Sequence, residues 1–179
     1  LPPNARLLLL GSFPPPRKRW SMDFFYPNYT NDMWRIFGLI FFDDKDHFVD
    51  IEKKKFCKDN IEQFLREKAI AVSDTVAVAN RLNGNASDLT LEVVEPLNLA
   101  GILDQIPRCH TLVTTGQKAT DTLLSITGSP APEIGGFVDF LYHNRRLRLY
   151  RMPSTSRAYP KPLTDKAKIY RTIFQNIEQ

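Results

Sequence analysis

Cysteine and histidine are scarce in this chain. The two cysteines, Cys57 and Cys109, lie far apart with no Cys-x-x-Cys spacing, and the three histidines, His47, His110 and His143, are scattered. That pattern argues against a cysteine-ligated zinc site or an iron–sulfur cluster. Nothing calls for disulfides, so a reducing cytoplasm is the expected setting. Long hydrophobic runs are missing too. The purest apolar stretch near the start, Leu7 to Leu10, falls far short of the roughly 18 residues of a membrane span, and no signal peptide is visible. The chain begins at Leu1 rather than Met with a strand-like run close behind, so residues are expected to precede it in the native protein. Glycine is outnumbered by proline, 8 against 13, which suits long shaped loops better than disorder. Neither charge dominates: 24 basic against 20 acidic side chains leave a net charge of +4, which permits an anionic partner without demanding one.

What remains is globular. With 179 residues, 42% hydrophobic and 25% charged, the chain is expected to form a single domain over 1–179, burying roughly 70% of its unfolded surface. Arg6 to Gly11 reads as a strand buried on both faces, being a short continuous apolar run closed by glycine. A long loop follows, and a helix starts within Asn31 to Phe37. Ile61, Phe64 and Leu65 set a helical stripe between Asp59 and Lys68, and Ala69 to Ser73 is a second buried strand with Asp74 at its end. Past a polar loop, Asn98 to Ile106 is helical and leads to a third strand, Thr111 to Thr115, from which Gly116 turns into another helix. Phe137 to Tyr142 and Leu147 to Met152 form a hairpin turned at Asn144, its second arm being the last core strand. A closing helix begins near Thr164 with Tyr170, Ile173, Phe174 and Ile177 as its stripe. Alternating strands and helices imply a three-layer α/β/α fold around a mostly parallel, four-stranded sheet. Such sheets carry their sites at the carboxyl ends of the strands. The loops from Gly11, Asp74, Gly116 and Pro153 are therefore expected to converge.

Two of those loops carry candidate chemistry. The first runs Gly-Ser-Phe-Pro-Pro-Pro-Arg-Lys-Arg-Trp and continues through Phe24, Phe25, Tyr26, Tyr29, Asn31 and Trp34. Aromatics at a strand end can sandwich a flat ring, and Arg17, Lys18 and Arg19 can meet phosphates; equally, the loop can be apolar packing with a solvated basic tip. The last loop, Met152-Pro153-Ser154-Thr155-Ser156-Arg157, offers small hydroxyl residues that let a backbone approach a phosphate, or it is a plain turn. The run Arg145, Arg146, Arg148 and Arg151 suits either a phosphate surface or an ordinary wet strand face.

Together the two loops resemble the paired motifs of the uracil-DNA glycosylase superfamily. Its Gly-x-[Asp/Asn]-Pro turn is matched by Gly11-Ser12-Phe13-Pro14, its aromatic and Asn-x-[Phe]-Trp by Tyr26 and Asn31-Asp32-Met33-Trp34, and its [His/Asn]-Pro-Ser loop by Met152-Pro153-Ser154. Ser156-Arg157 is similar to the mismatch-specific branch. The hypoxanthine-DNA glycosylase-like branch looks closest, with Gly-Ser-x-Pro, an Asp after the second strand (Asp74) and a Pro-Ser-Thr-Ser-like loop. The motifs run in the right order over nearly the whole chain. In most branches an Asp or Asn stands where this chain has Phe13, which cannot orient water. Met152 stands where many relatives have a His or Asn.

The resemblance implies a monofunctional DNA N-glycosylase: a hydrolase of base excision repair that flips a deaminated base, uracil or hypoxanthine, out of DNA and cleaves its glycosidic bond. It would act as a cytoplasmic monomer with no cofactor, metal or membrane. Asn31, matching the Asn implicated in the hypoxanthine-type branch, is the catalytic candidate, or else a helix N-cap, or both. Gly11, Ser12, Phe13, Phe25, Tyr26 and Asp74 would bind the base. Tyr26 would be the stacking surface, with Phe25 its alternate. Asp74 would accept from a ring N–H or serve as a turn-forming cap. Arg17, Arg19, Ser154, Thr155, Ser156 and Arg157 would bind DNA, with Arg157 or Tyr159 filling the gap left by the extruded base. Alternatively, Phe13 and Met152 mark a nucleic-acid-binding module of the same fold with weak or no catalysis. An unrelated α/β enzyme acting on a small nucleotide is the third possibility.

Overall fold

A computed structural model of the chain describes residues 1–11, 14–81 and 91–177, the side chains of 77–81, 91–95 and 176–177 excepted. The strands and helices follow in the order β1 Leu7–Gly11, α1 Met33–Phe42, β2 Val49–Asp50, β3 Lys55–Phe56, α2 Lys58–Glu67, β4 Ile70–Asp74, β5 Val76–Arg81, β6 Leu91–Pro96, α3 Leu99–Gln105, β7 Thr111–Thr115, α4 Gln117–Thr127, β8 Phe137–Tyr142, β9 Arg145–Met152 and α5 Leu163–Ile177. The main sheet has the order β4-β1-β7-β9-β8. β4, β1, β7 and β9 are the four expected parallel strands. The first hairpin arm, β8, adds a fifth strand antiparallel to β9, so the sheet has five strands where four were expected. The physical reason is local: a hairpin arm satisfies its backbone by pairing with its partner, and here that partner is an edge of the parallel set.

The apolar runs work as doubly buried strands. On β1, Leu7 and Leu9 join Val72, Val113, Tyr150 and Met152 in a core formed with α1, α2 and α5. Leu8 and Leu10 face the other way, with Ala71, Leu112 and Leu149, toward Leu99 and Leu103 of α3 and Leu123 of α4. This alternation produces the three layers. Phe37, Phe41 and Phe174 lock α1 to α5, with Phe174's ring 5.8 Å from Phe37 and 4.8 Å from Phe41.

The segment expected to be a polar loop after β4 instead contains a two-stranded ribbon, β5 with β6, from Val76↔Pro96 to Arg81↔Leu91. The two strands form a sheet separate from the main one, and Val76 at the start of β5 is buried at 2% exposure. Among the described residues no helix is long and apolar enough to cross a membrane.

From β1 the chain moves to β4 on one side and later to β7 on the other. The β1/β7 boundary is thus the point where connections diverge and leave a crevice beyond the carboxyl ends.

Candidate active site

A cleft of about 340 Å³ opens at that boundary. It is lined by Gly11 and Asp74 at the ends of β1 and β4, Thr115 at the end of β7, parts of the loop after β1 (Pro14, Pro15, Trp20 and most of Asp23 to Asn31), and Ser154 to Arg157 beyond β9. All four expected loops have residues there, or, for Gly116, a neighbour.

Gly11 is required by crowding. A Cβ there would lie 2.9 Å from the Tyr26 hydroxyl and 3.3 Å from Asp74 Oδ1, so only a bare Cα lets both reach the cleft floor. Tyr26 itself has a left-handed backbone, φ 51°, uncommon for a bulky residue. Its ring stands edge-on to Trp34 at 5.9 Å, and its hydroxyl lies 2.8 Å from Thr115 Oγ1. Because Thr115 donates its own proton to the Leu10 carbonyl at 3.2 Å, Tyr26 is the donor of that pair.

The closing loop is shaped by its hydroxyls. Ser154 Oγ accepts from the Ser156 N–H at 3.1 Å and Ser156 Oγ from the Ala158 N–H at 3.2 Å. Each oxygen thus stiffens the turn as an acceptor while its hydroxyl proton can still be donated. Gly116, at φ 95°, lets the loop pack close, since a Cβ there would sit 3.4 Å from that of Ser154.

Asn31 sits where α1 begins, and its Oδ1 accepts from the Met33 N–H at 2.9 Å. The N-cap of α1 is Asp32 and not Asn31 as expected; the Asn31 bond is an Asx turn one residue ahead of the helix. That bond engages one lone pair of the carbonyl oxygen; the second lone pair and the amide protons are the groups suited to a water or substrate.

The neighbouring Asp32, which the sequence reading passed over, joins the two halves of the cleft. Its N–H donates to the Thr155 carbonyl at 2.9 Å. Its carboxylate takes Arg157 Nε at 3.1 Å on one oxygen and Lys166 Nζ at 3.0 Å on the other. Lys166 is completely buried, also donates to the Ser156 carbonyl at 3.1 Å, and reaches these groups from α5. Tyr170, one turn further along α5, donates to the Pro153 carbonyl at 2.5 Å. Burial, with smaller contributions from Tyr26 and Asp32, raises its hydroxyl pKa well above the usual tyrosine value. The signal for this cluster was available: Lys166 lies four residues before Tyr170, on the apolar stripe of α5, and a lysine on a buried face needs a partner.

Of the residues singled out from sequence, Gly11, Phe25, Tyr26, Asn31, Asp74, Ser154, Thr155, Ser156 and Arg157 all line the cleft. Ser12 and Phe13 lie outside the described residues. Arg17 and Arg19 do not line it; they form an exposed 3-10 turn with Lys18 immediately before Trp20, which does. Met152 is buried in the core at 1% exposure and presents nothing to the cleft. Three of the β9 arginines, Arg145, Arg148 and Arg151, make contacts within the fold. Arg145 donates to the carbonyls of Leu103, Ile106 and Cys109, Arg151 to that of Pro132, and Arg148 pairs with Asp139 at 2.8 Å. Among the described residues, no three His, Cys, Asp or Glu side chains gather as a metal ion would need.

No protein-family model matches this sequence, and no curated protein matches it. Its fold is shared with the solution NMR structure of a protein from Methanosarcina acetivorans described as a "putative Uracil DNA glycosylase": TM-score 0.62, 20% identity, covering 98% of this chain and 92% of that one.

Proposed function

We propose that the chain is a DNA glycosylase of the uracil-DNA glycosylase superfamily that flips a deaminated base out of DNA and hydrolyses its glycosidic bond. The observation that carries this reading is the assembly of one cleft from Gly11, Tyr26, Asn31, Asp74 and the segment Ser154 to Arg157, at the crevice of a fold shared with a protein so described. Hypoxanthine and uracil are the candidate bases, since both carry a ring N–H that the Asp74 carboxylate can accept.

In this mechanism Ser154, Thr155, Ser156 and Arg157 hold the strand while the nucleotide turns into the cleft against Tyr26 or Phe25. The bond from C1′ to the base nitrogen breaks with its electron pair going to the base. Water held by Asn31 attacks the sugar cation and gives up a proton to solvent, and the departed base anion takes up one proton from solvent, leaving free base and an abasic sugar. A cationic sugar asks little of its nucleophile, so an amide that orients water suffices.

A second reading has support from Met152: its burial leaves the cleft without a side chain there to stabilise the departing base, as a binding module of weak activity would have. Single-turnover incubation with oligonucleotides carrying uracil, hypoxanthine or xanthine separates the two. Release of free base, lost in Asn31→Ala, is expected. No product, with binding that weakens steeply in salt, would establish the binding module instead.

A further inference from the structure

Trp20 differs from the other aromatics of the cleft. Phe24 is packed on Phe25 at 5.2 Å and on Trp34 at 6.0 Å, and Tyr26 is fixed by Trp34 and Thr115. The Trp20 indole is only partly buried, lines the cleft, and has as its ring neighbour the Arg17 guanidinium, 5.1 Å from the centroid. It is nevertheless held in place. Its Nε1 donates to the Pro15 carbonyl at 2.8 Å, and its backbone bridges to Asn28 across the loop. Immediately before it stand three consecutive exposed cations, Arg17, Lys18 and Arg19, in one 3-10 turn. A fixed, partly exposed indole backed by a guanidinium and flanked by cations has the composition of a single-strand platform: the ring stacks a base of any identity and the cations follow its phosphates.

We propose that Trp20 is a stacking site for an unpaired base of single-stranded DNA adjoining the one that enters the cleft, with Arg17 to Arg19 on the neighbouring phosphates. The inference rests on the cleft being a nucleic-acid site and is independent of cleavage. It makes single-stranded DNA the better ligand, because a base paired in a duplex has no free face to offer the indole.

The test is tryptophan fluorescence of the full chain titrated with undamaged single-stranded and duplex oligonucleotides of one sequence. The other tryptophan, Trp34, is completely buried, so quenching by a stacked base reports Trp20. Single strands are expected to quench and duplexes to quench far less. Trp20→Ala should weaken single-strand binding by about 5- to 150-fold, while Trp20→Phe, which keeps a ring, restores most of it. Neutralising Arg19 should flatten the salt slope on single strands by about 0.7. Absence of quenching in the wild-type protein, equal quenching by duplex, or equal losses in Trp20→Phe and Trp20→Ala would each overturn the proposal. Cleavage of a uracil oligonucleotide without quenching would reject the platform and leave the glycosylase reading standing; quenching with no base released from uracil, hypoxanthine or xanthine oligonucleotides would keep the platform and reject the glycosylase reading.

Discussion

Replacing Asp32 by alanine removes the common partner of two cations whose surroundings differ. The Lys166 side chain is 0% exposed and that of Arg157 54%. Arginine at that exposure regains water, so its half of the interaction is worth about 0–1 kcal/mol. Lys166 cannot regain it: without Asp32 its ammonium keeps only the Ser156 carbonyl and the Tyr159 ring, 5.7 Å away. Leaving a buried charge without its counter-ion costs about 3–5 kcal/mol. For a domain of this size that lowers Tm by about 6–20 °C. Lys166→Met is expected to cost less, about 1.5–3 kcal/mol, because Asp32 keeps Arg157 and the apolar stem is preserved. The double variant Asp32→Ala, Lys166→Met should be more stable than Asp32→Ala alone, since it removes the stranded charge. Urea denaturation followed by circular dichroism measures all three. A cost below about 1 kcal/mol for Asp32→Ala, or strict additivity in the double variant, would refute the argument that this pair fastens α1, the closing loop and α5 together.

Three further outcomes are expected. Gly11→Ala brings a methyl group to 2.9 Å from the Tyr26 hydroxyl; overpacking should cost about 1–3 kcal/mol and raise KM for any base-containing substrate, and an unchanged KM would separate Tyr26 from the ligand. Burial pushes the Cys109 thiol up from 9.0 to about 11, so the native state holds its proton where the unfolded state has released it. The resulting stabilisation is complete below pH 9 and declines as pH rises toward 11, by about 1.4 kcal/mol per unit; alkaline urea titrations should show this decline, and Cys109→Ala should remove the part between pH 9 and 10, below the range in which the raised Tyr170 hydroxyl adds its own decline. Arg157→Ala should slow cleavage of a paired substrate more than of a single strand, because leaving Asp32 costs the arginine about 0–1 kcal/mol and does not bar it from the opened stack. Equal slowing on both, in single-turnover assays, would reduce it to a phosphate contact.

The sequence by itself determined the layers and the location of the cleft. A run such as Leu7 to Leu10 has no polar face, so it had to be a strand covered on both sides. Repetition of such strands with helices between them leaves a parallel sheet whose carboxyl-end loops meet. Asn31 and the closing serines were singled out through the resemblance of their loops to the superfamily motifs, and both line the cleft. The tertiary structure alone decided which groups meet across those loops. Asp32 and Lys166 are 134 residues apart and Tyr26 and Thr115 are 89 apart. Periodicity reports which face a side chain occupies and says nothing of what lies opposite it. The β5–β6 ribbon escaped for a related reason, since pairing of two strands outside the main sheet depends on the partner strand and not on either segment's own pattern. The left-handed turn at Tyr26 is likewise a product of the fold: the hydroxyl contact at the end of β7 and the ring contact on α1 help to hold a bulky residue in a conformation its own backbone disfavours.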